Sequence, residues 1–134
     1  MFDPESLETW SVLVVDDEPD NLELISECLA FLGVKVMTAT DGMNGLEILK
    51  GFAPHLILLD LSMPRMNGWE MRKRIKTDQR LNHVYIVALT AHAMVNDRER
   101  ALDVGFDGYI TKPISVQTFA DQLRTIMKQA GART

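Results

Sequence analysis

Short, continuous apolar runs alternate along the chain with segments whose apolar positions fall at helical spacing. Val12-Leu13-Val14-Val15 and Leu56-Ile57-Leu58-Leu59 are rich in Val, Ile and Leu and contain no polar residue. Such runs read as strands buried on both faces. The first strand is expected over Ser11 to Val15. A helix follows from Pro19 to Leu32, because Pro19 suits a first turn and Leu22, Ile25, Leu29 and Leu32 share one face; Gly33 stands where helices often end. The second strand covers Lys35 to Thr40, with Val34, Val36 and Thr38 on one face, and Asp41-Gly42 makes a turn. A second helix spans Met43 to Lys50 with Leu46 and Leu49 inward, stopped by Gly51 and Pro54. The third strand ends at Asp60. After the loop Leu61 to Gly68 a third helix runs to Thr77, and the fourth strand covers Val84 to Thr90. A weaker helix begins near Val95 and stops before Gly105. The fifth strand is Gly108 to Thr111. The last helix starts after Ser115, its predicted N-cap, with Val116, Phe119, Leu123 and Ile126 as its apolar stripe. Five strands alternating with five helices predict an α/β fold: a doubly wound parallel sheet covered on both faces, with right-handed crossovers.

Composition narrows the class. The 134 residues suit one domain, expected over 11–128 with an extension before it (1–10) and a fraying tail after it (129–134). Hydrophobic content of 46% and charged content of 25% are ordinary for a globular protein. A net charge of -5 argues against non-specific binding to nucleic acid or anionic lipid. No apolar run is long enough to span a membrane, and the N-terminus lacks the basic start and apolar stretch of a secretory signal. The one cysteine, Cys28, rules out an internal disulfide and a thiolate metal cage, and reads as a small buried helix residue. Together these features predict a cytoplasmic protein.

The chemistry gathers at one edge. In an open α/β sheet, ligands bind outside the carboxyl ends of the strands. Those ends supply Asp16 and Asp17 (first strand), Asp60 (third), Thr90 (fourth) and Lys112 (fifth). If the first and third strands are neighbours, their ends lie about 4.8 Å apart and three carboxylates converge. A hard divalent cation with oxygen ligands offsets their repulsion, and Mg2+ is the usual choice where phosphate chemistry follows. Lys112 adds a positive charge and Thr90 a hydroxyl donor. A carboxylate can also act as a nucleophile and form an aspartyl phosphate. Asp60 is the expected nucleophile, because its loop is predicted to turn away through Ser62, Pro64 and Gly68 and leave the carboxylate open. Asp16 and Asp17, at the start of a helix, are placed to hold metal. An Asp60 found buried, or many ångströms from Lys112 and Thr90, would end the case for this site.

Asp16-Asp17 after a first strand, Asp60 within Leu-Asp-Leu-Ser-Met-Pro, Thr90-Ala91 after a fourth strand and Lys112-Pro113 after a fifth resemble the receiver domain of two-component response regulators, from about Val12 to Met127. The resemblance implies a flavodoxin-like sheet of order 2-1-3-4-5. It implies that Asp60 accepts a phosphoryl group from a phosphohistidine on a sensor histidine kinase or a histidine phosphotransfer protein. Asp17 and Asp60 would bind Mg2+ through side chains, Ser62 through its backbone carbonyl and Asp16 mainly through water. Lys112 and Thr90 would hold the phosphoryl oxygens, Lys112-Pro113 would be cis, and Tyr109 would be the aromatic switch. Ser62 and His92 occupy the positions that tune phosphate lifetime. The expected output is altered binding to a downstream protein by a stand-alone regulator, monomeric or dimeric through its last two helices. The alternative is a receiver fragment of a hybrid histidine kinase or longer regulator acting in a phosphorelay. Enzymatic activity is expected only as Mg2+-dependent self-phosphorylation and self-dephosphorylation.

Simpler roles compete for each residue. Asp16 and Asp17 alone could cap a helix, Lys112 alone could be a solvated lysine, and Tyr109 alone a half-buried strand aromatic. His55, His83 and His92 are too scattered to suggest a metal site. Met63, Met66, Met71 and Met94 read as packing groups, and Asp97-Arg98-Glu99-Arg100 as a solvated face or a partner surface. An aspartyl phosphatase would usually carry an acid where Ser62 stands. A flavin module would need glycine and backbone donors in the first turn. An adaptor working without phosphate would be expected to have lost site residues, and none is lost.

Overall fold

The computed structural model describes residues 6–91 and 95–133. Its five strands are β1 (Ser11–Val15), β2 (Lys35–Ala39), β3 (Leu56–Asp60), β4 (Tyr85–Thr90) and β5 (Gly108–Thr111). Its helices are α1 (Pro19–Phe31), α2 (Gly42–Leu49), α3 (Gly68–Lys76), α4 (Val95–Val104) and α5 (Phe119–Arg133). The strands form one parallel sheet in the order β2-β1-β3-β4-β5, as expected.

Successive strand residues point to opposite faces, so each buried strand feeds two cores. Val12, Val14, Leu56, Leu58, Val87 and Leu89 pack beneath α1 and α5 with Ile25, Leu29, Phe119 and Leu123. Leu13, Val15, Ile57, Leu59, Ile86 and Ala88 pack on the other face with Leu49, Met71, Ile75 and Ala101 from α2, α3 and α4. Helix starts follow local chemistry. The Asp41 side chain accepts the Asn44 N–H at 2.7 Å to cap α2, and Asn67 accepts the Glu70 N–H at 2.9 Å to cap α3. Gly33, with φ +86°, follows α1 in the left-handed conformation.

Several expectations fail at the ends of elements. Residues 6–10 are no loose extension: Leu7 and Trp10 are buried in the α1/α5 core, and Trp10 O accepts the Lys35 N–H. Two large apolar side chains are reason enough for a short segment to dock. The last helix starts at Phe119, later than predicted, because residues 116–118 form a turn in which Ser115 O accepts from both Thr118 N and Phe119 N. Its buried stripe is therefore Phe119, Leu123, Met127 and Ala130, whereas Val116 is exposed and Ile126 half-buried. The same helix runs to Arg133, so it takes in most of the stretch assigned to a fraying tail. On edge strand β2, Val34 and Val36 face the core as expected, but Thr38 is exposed. Leu32 and Leu46 are half-buried and pack against the core, in keeping with their inward positions, whereas Cys28 is half-buried rather than buried.

Candidate functional site

The register sets the site. Val15 pairs with Leu59 across β1 and β3, so Asp16 and Asp60, each one residue further, emerge side by side. Leu89 pairs with Asp60, and Thr90 follows it; Thr90 in turn pairs with Thr111, which delivers Lys112 to the same edge. The Lys112-Pro113 peptide is cis, as the resemblance implied.

Lys112 is the hub. Its side chain is only 8% exposed, and Nζ lies 2.8 Å from Asp16 Oδ2, 3.3 Å from Asp60 Oδ2 and 3.6 Å from Glu18 Oε1. Burial disfavours the charged ammonium, yet contact with Asp16 and then Asp60 outweighs it and raises the lysine above its ordinary pKa. Asp60 is pushed up from 3.8 to about 7. Burial is the main cause; the Ser62 N–H, donated to Asp60 Oδ1 at 3.0 Å, opposes it. The Asp16 charge raises it further, Lys112 lowers it, and the neighbouring Asp17 carboxyl raises it again. Crowded carboxylates are thus only partly compensated by one ammonium.

The Asp60 carboxylate is not open: the residue is 2% exposed. That contradicts the expectation drawn from its loop. The loop folds back instead of turning away, because Leu61, Met63 and Met66 bury themselves in the core beneath α2 and α3. Gly68 N–H returns to Leu61 O at 3.2 Å, and a Cβ at Gly68 would strike Asp60 O. Asp60 is nonetheless within 3.3 Å of Lys112, as the assignment required.

The other predicted residues fall in distinct settings. Asp16 is fully buried, and its Oδ2 makes no hydrogen bond of good geometry despite the close ammonium. Asp17 and Ser62 are exposed at the rim. Thr90 is buried at the sheet edge. Tyr109 is half-buried and packs on the core beneath α3 and α4. His92 and Met94 lie outside the described residues. His55 is structural: its Nδ1 accepts the Ser11 N–H at 3.0 Å, and burial lowers its pKa. Glu18 was missed, although a third consecutive acid after the strand was its visible signal.

The donor set fits a hard cation. Asp16, Asp17 and Glu18 each offer an oxygen within 4.8 Å of the others, and every candidate ligand is oxygen. Among the described residues no helix is long and apolar enough to cross a membrane.

Known proteins share this architecture. The polar-differentiation response regulator DivK of Brucella ovis is 34% identical over 122 residues, which covers 91% of this chain and 99% of that protein. The chemotaxis protein CheY4 of Vibrio cholerae superposes with a TM-score of 0.81 at 27% identity, over 87% of this chain and 98% of that one. The receiver domain of a signal transduction histidine kinase from Syntrophus aciditrophicus gives 0.77 at 26% identity, over 90% and 91% of the two chains. The family model for the response regulator receiver domain matches residues 12–124. The chain therefore belongs to the response regulator receiver domain family of two-component signal transduction.

Proposed function

We propose that Asp60 is the phosphoacceptor of a signalling switch and takes its phosphoryl group from a phosphohistidine on a sensor histidine kinase or histidine phosphotransfer protein. The observation that carries this is the meeting of Asp60 with Lys112 at 3.3 Å, beside Asp16 and Asp17 at the carboxyl edge of the sheet. A carboxylate oxygen of Asp60 attacks phosphorus, the P–N bond breaks, and its electron pair returns to the imidazole. Lys112, released from Asp60, stabilises the equatorial oxygens, and the Thr90 hydroxyl donates to one of them. Asp17, Asp60 and the Ser62 carbonyl would hold Mg2+, with Asp16 acting mainly through water. When bound, the ion supplies charge neutralisation for the phosphoryl oxygens. Because Asp60 is buried and paired with Lys112, access requires that ammonium to swing aside. Its flexible stem allows this, and the exposed Asp17 and Ser62 mark the side of entry.

The product carries close to two additional negative charges. Drawing Thr90 and Lys112 toward them links the site to Tyr109 and the α4–β5–α5 face, which is assigned here to a downstream protein or a second copy. Two or three charge-assisted hydrogen bonds of about 1.5–3 kcal/mol each supply the roughly 5.5 kcal/mol that a 1:99 to 99:1 population shift requires. Ser62 and His92 tune how long the phosphate survives. The working compartment is the cytoplasm. Incubation with acetyl phosphate and Mg2+, followed by phosphate-affinity electrophoresis, should retard the wild type and leave Asp60→Asn unshifted. Equal retardation of both would refute the acceptor assignment.

A relay role is the second reading, favoured by the likeness to a receiver domain of a histidine kinase. It requires the phosphorylated chain to pass its phosphoryl group back to a histidine phosphotransfer protein.

A further inference from the structure

Glu18 stands at the N-cap of α1. Ser, Thr, Asp and Asn are favoured there because their short side chains reach the first free N–H groups of the helix. The Glu18 side chain makes no such bond. Its own N–H is taken by Asp16 Oδ1 at 2.9 Å. Its side chain is 63% exposed and turns to Lys112, with Oε1 3.6 Å from Nζ. The ammonium thus faces two buried carboxylates and one at the rim. A divalent cation that draws on Asp60 directly and on Asp16 through water would weaken the hold of both buried partners on Lys112 and set two positive charges against each other. Glu18 is the partner that remains.

We propose that Glu18 is a positioning residue: it holds the Lys112 ammonium at the mouth of the site while the buried carboxylates turn to a divalent cation, and so sets how tightly that cation binds. The inference rests on the proposal above that Asp17, Asp60 and the Ser62 carbonyl would hold such an ion, with Asp16 acting mainly through water. Glu18 acts through Lys112 and contributes nothing as a helix cap, so its removal leaves the fold intact.

The test is a MgCl2 titration of the full chain at low ionic strength, followed by the amide NMR shifts of Asp17 and Ser62. Four proteins are compared: wild type, Glu18→Gln, Lys112→Met and the double variant. Glu18→Gln should weaken Mg2+ binding about two- to fivefold, the range of an exposed ion pair. Lys112→Met should bind Mg2+ more tightly than wild type, and the Glu18→Gln effect should shrink in that background. The same spectra report whether each variant is folded. An affinity unchanged by Glu18→Gln, or a weakening no smaller in the Lys112→Met background, overturns the role of Glu18 alone. Absence of any Mg2+ response in all four proteins overturns the cation site and the inference together.

Discussion

Replacing Asp60 with Asn should stabilise the cation-free protein, and only at neutral to alkaline pH. In the wild type the folded-state pKa of Asp60 is raised from 3.8 to about 7. The folded state therefore holds a proton that the unfolded chain has released between those values. Stability contributed by this group is fully present below about pH 4 and declines as pH rises, until the slope vanishes above about pH 7. One pKa unit corresponds to about 1.4 kcal/mol, so the rise amounts to about 4 kcal/mol as an upper bound. Asn carries no charge to desolvate, and the attraction of Lys112 is already included in that net shift; relaxation and water penetration around the site reduce the bound, so a net gain of about 2 kcal/mol at pH 8 is expected. For a chain of this length that raises Tm by roughly 7 °C. Thermal unfolding without divalent ions, followed by circular dichroism from pH 5 to pH 8, measures it. The gain should shrink toward pH 5, and Mg2+ should stabilise the wild type more than the variant. An Asp60→Asn protein no more stable than wild type at pH 8, or a gain of the same size at both pH values, would refute this account of the crowded site.

Lys112→Met leaves buried acids without their ammonium and should cost about 3–5 kcal/mol in denaturant titration at pH 8, with part recovered on adding Mg2+. Gly68→Ala sets a Cβ against Asp60 O and the Leu61 Cα and should cost about 1–3 kcal/mol, read from the midpoint of urea unfolding. Trp10→Ala should cost about 3–5 kcal/mol by the same method, because that ring is 1% exposed in the core; a loss below about 1 kcal/mol would return residues 6–10 to the status of a loose extension.

The sheet was legible in the sequence because its three inner strands are buried on both faces. Val12 to Val15, Leu56 to Leu59 and Ile86 to Leu89 carry no polar residue that would blur the pattern. The same arrangement sends Asp16, Asp60, Thr90 and Lys112 to one edge, so their meeting followed once β1 and β3 were neighbours. What failed depended on tertiary choices. Val116 and Ile126 share helical spacing with Phe119 and Leu123, but the turn at 116–118 delays the helix and rotates its face toward Met127 and Ala130. Leu7 and Trp10 belong to too short a segment for periodicity to register. The access of Asp60 was misjudged because the direction of its loop is set by where Leu61, Met63 and Met66 bury and by a backbone contact that only Gly68 allows. Glu18 went unread because neighbouring acids look alike until Lys112 is placed beside one of them.

The central claim is that Asp60 carries the phosphoryl group, and mapping the modified residue tests it most directly. After treatment with acetyl phosphate and Mg2+, borohydride reduces an aspartyl phosphate to homoserine, which peptide mass spectrometry locates in the chain. The account predicts homoserine at position 60. Homoserine at position 16 or 17 instead, or an unmodified peptide at 60 in a sample shown to be phosphorylated, would contradict it.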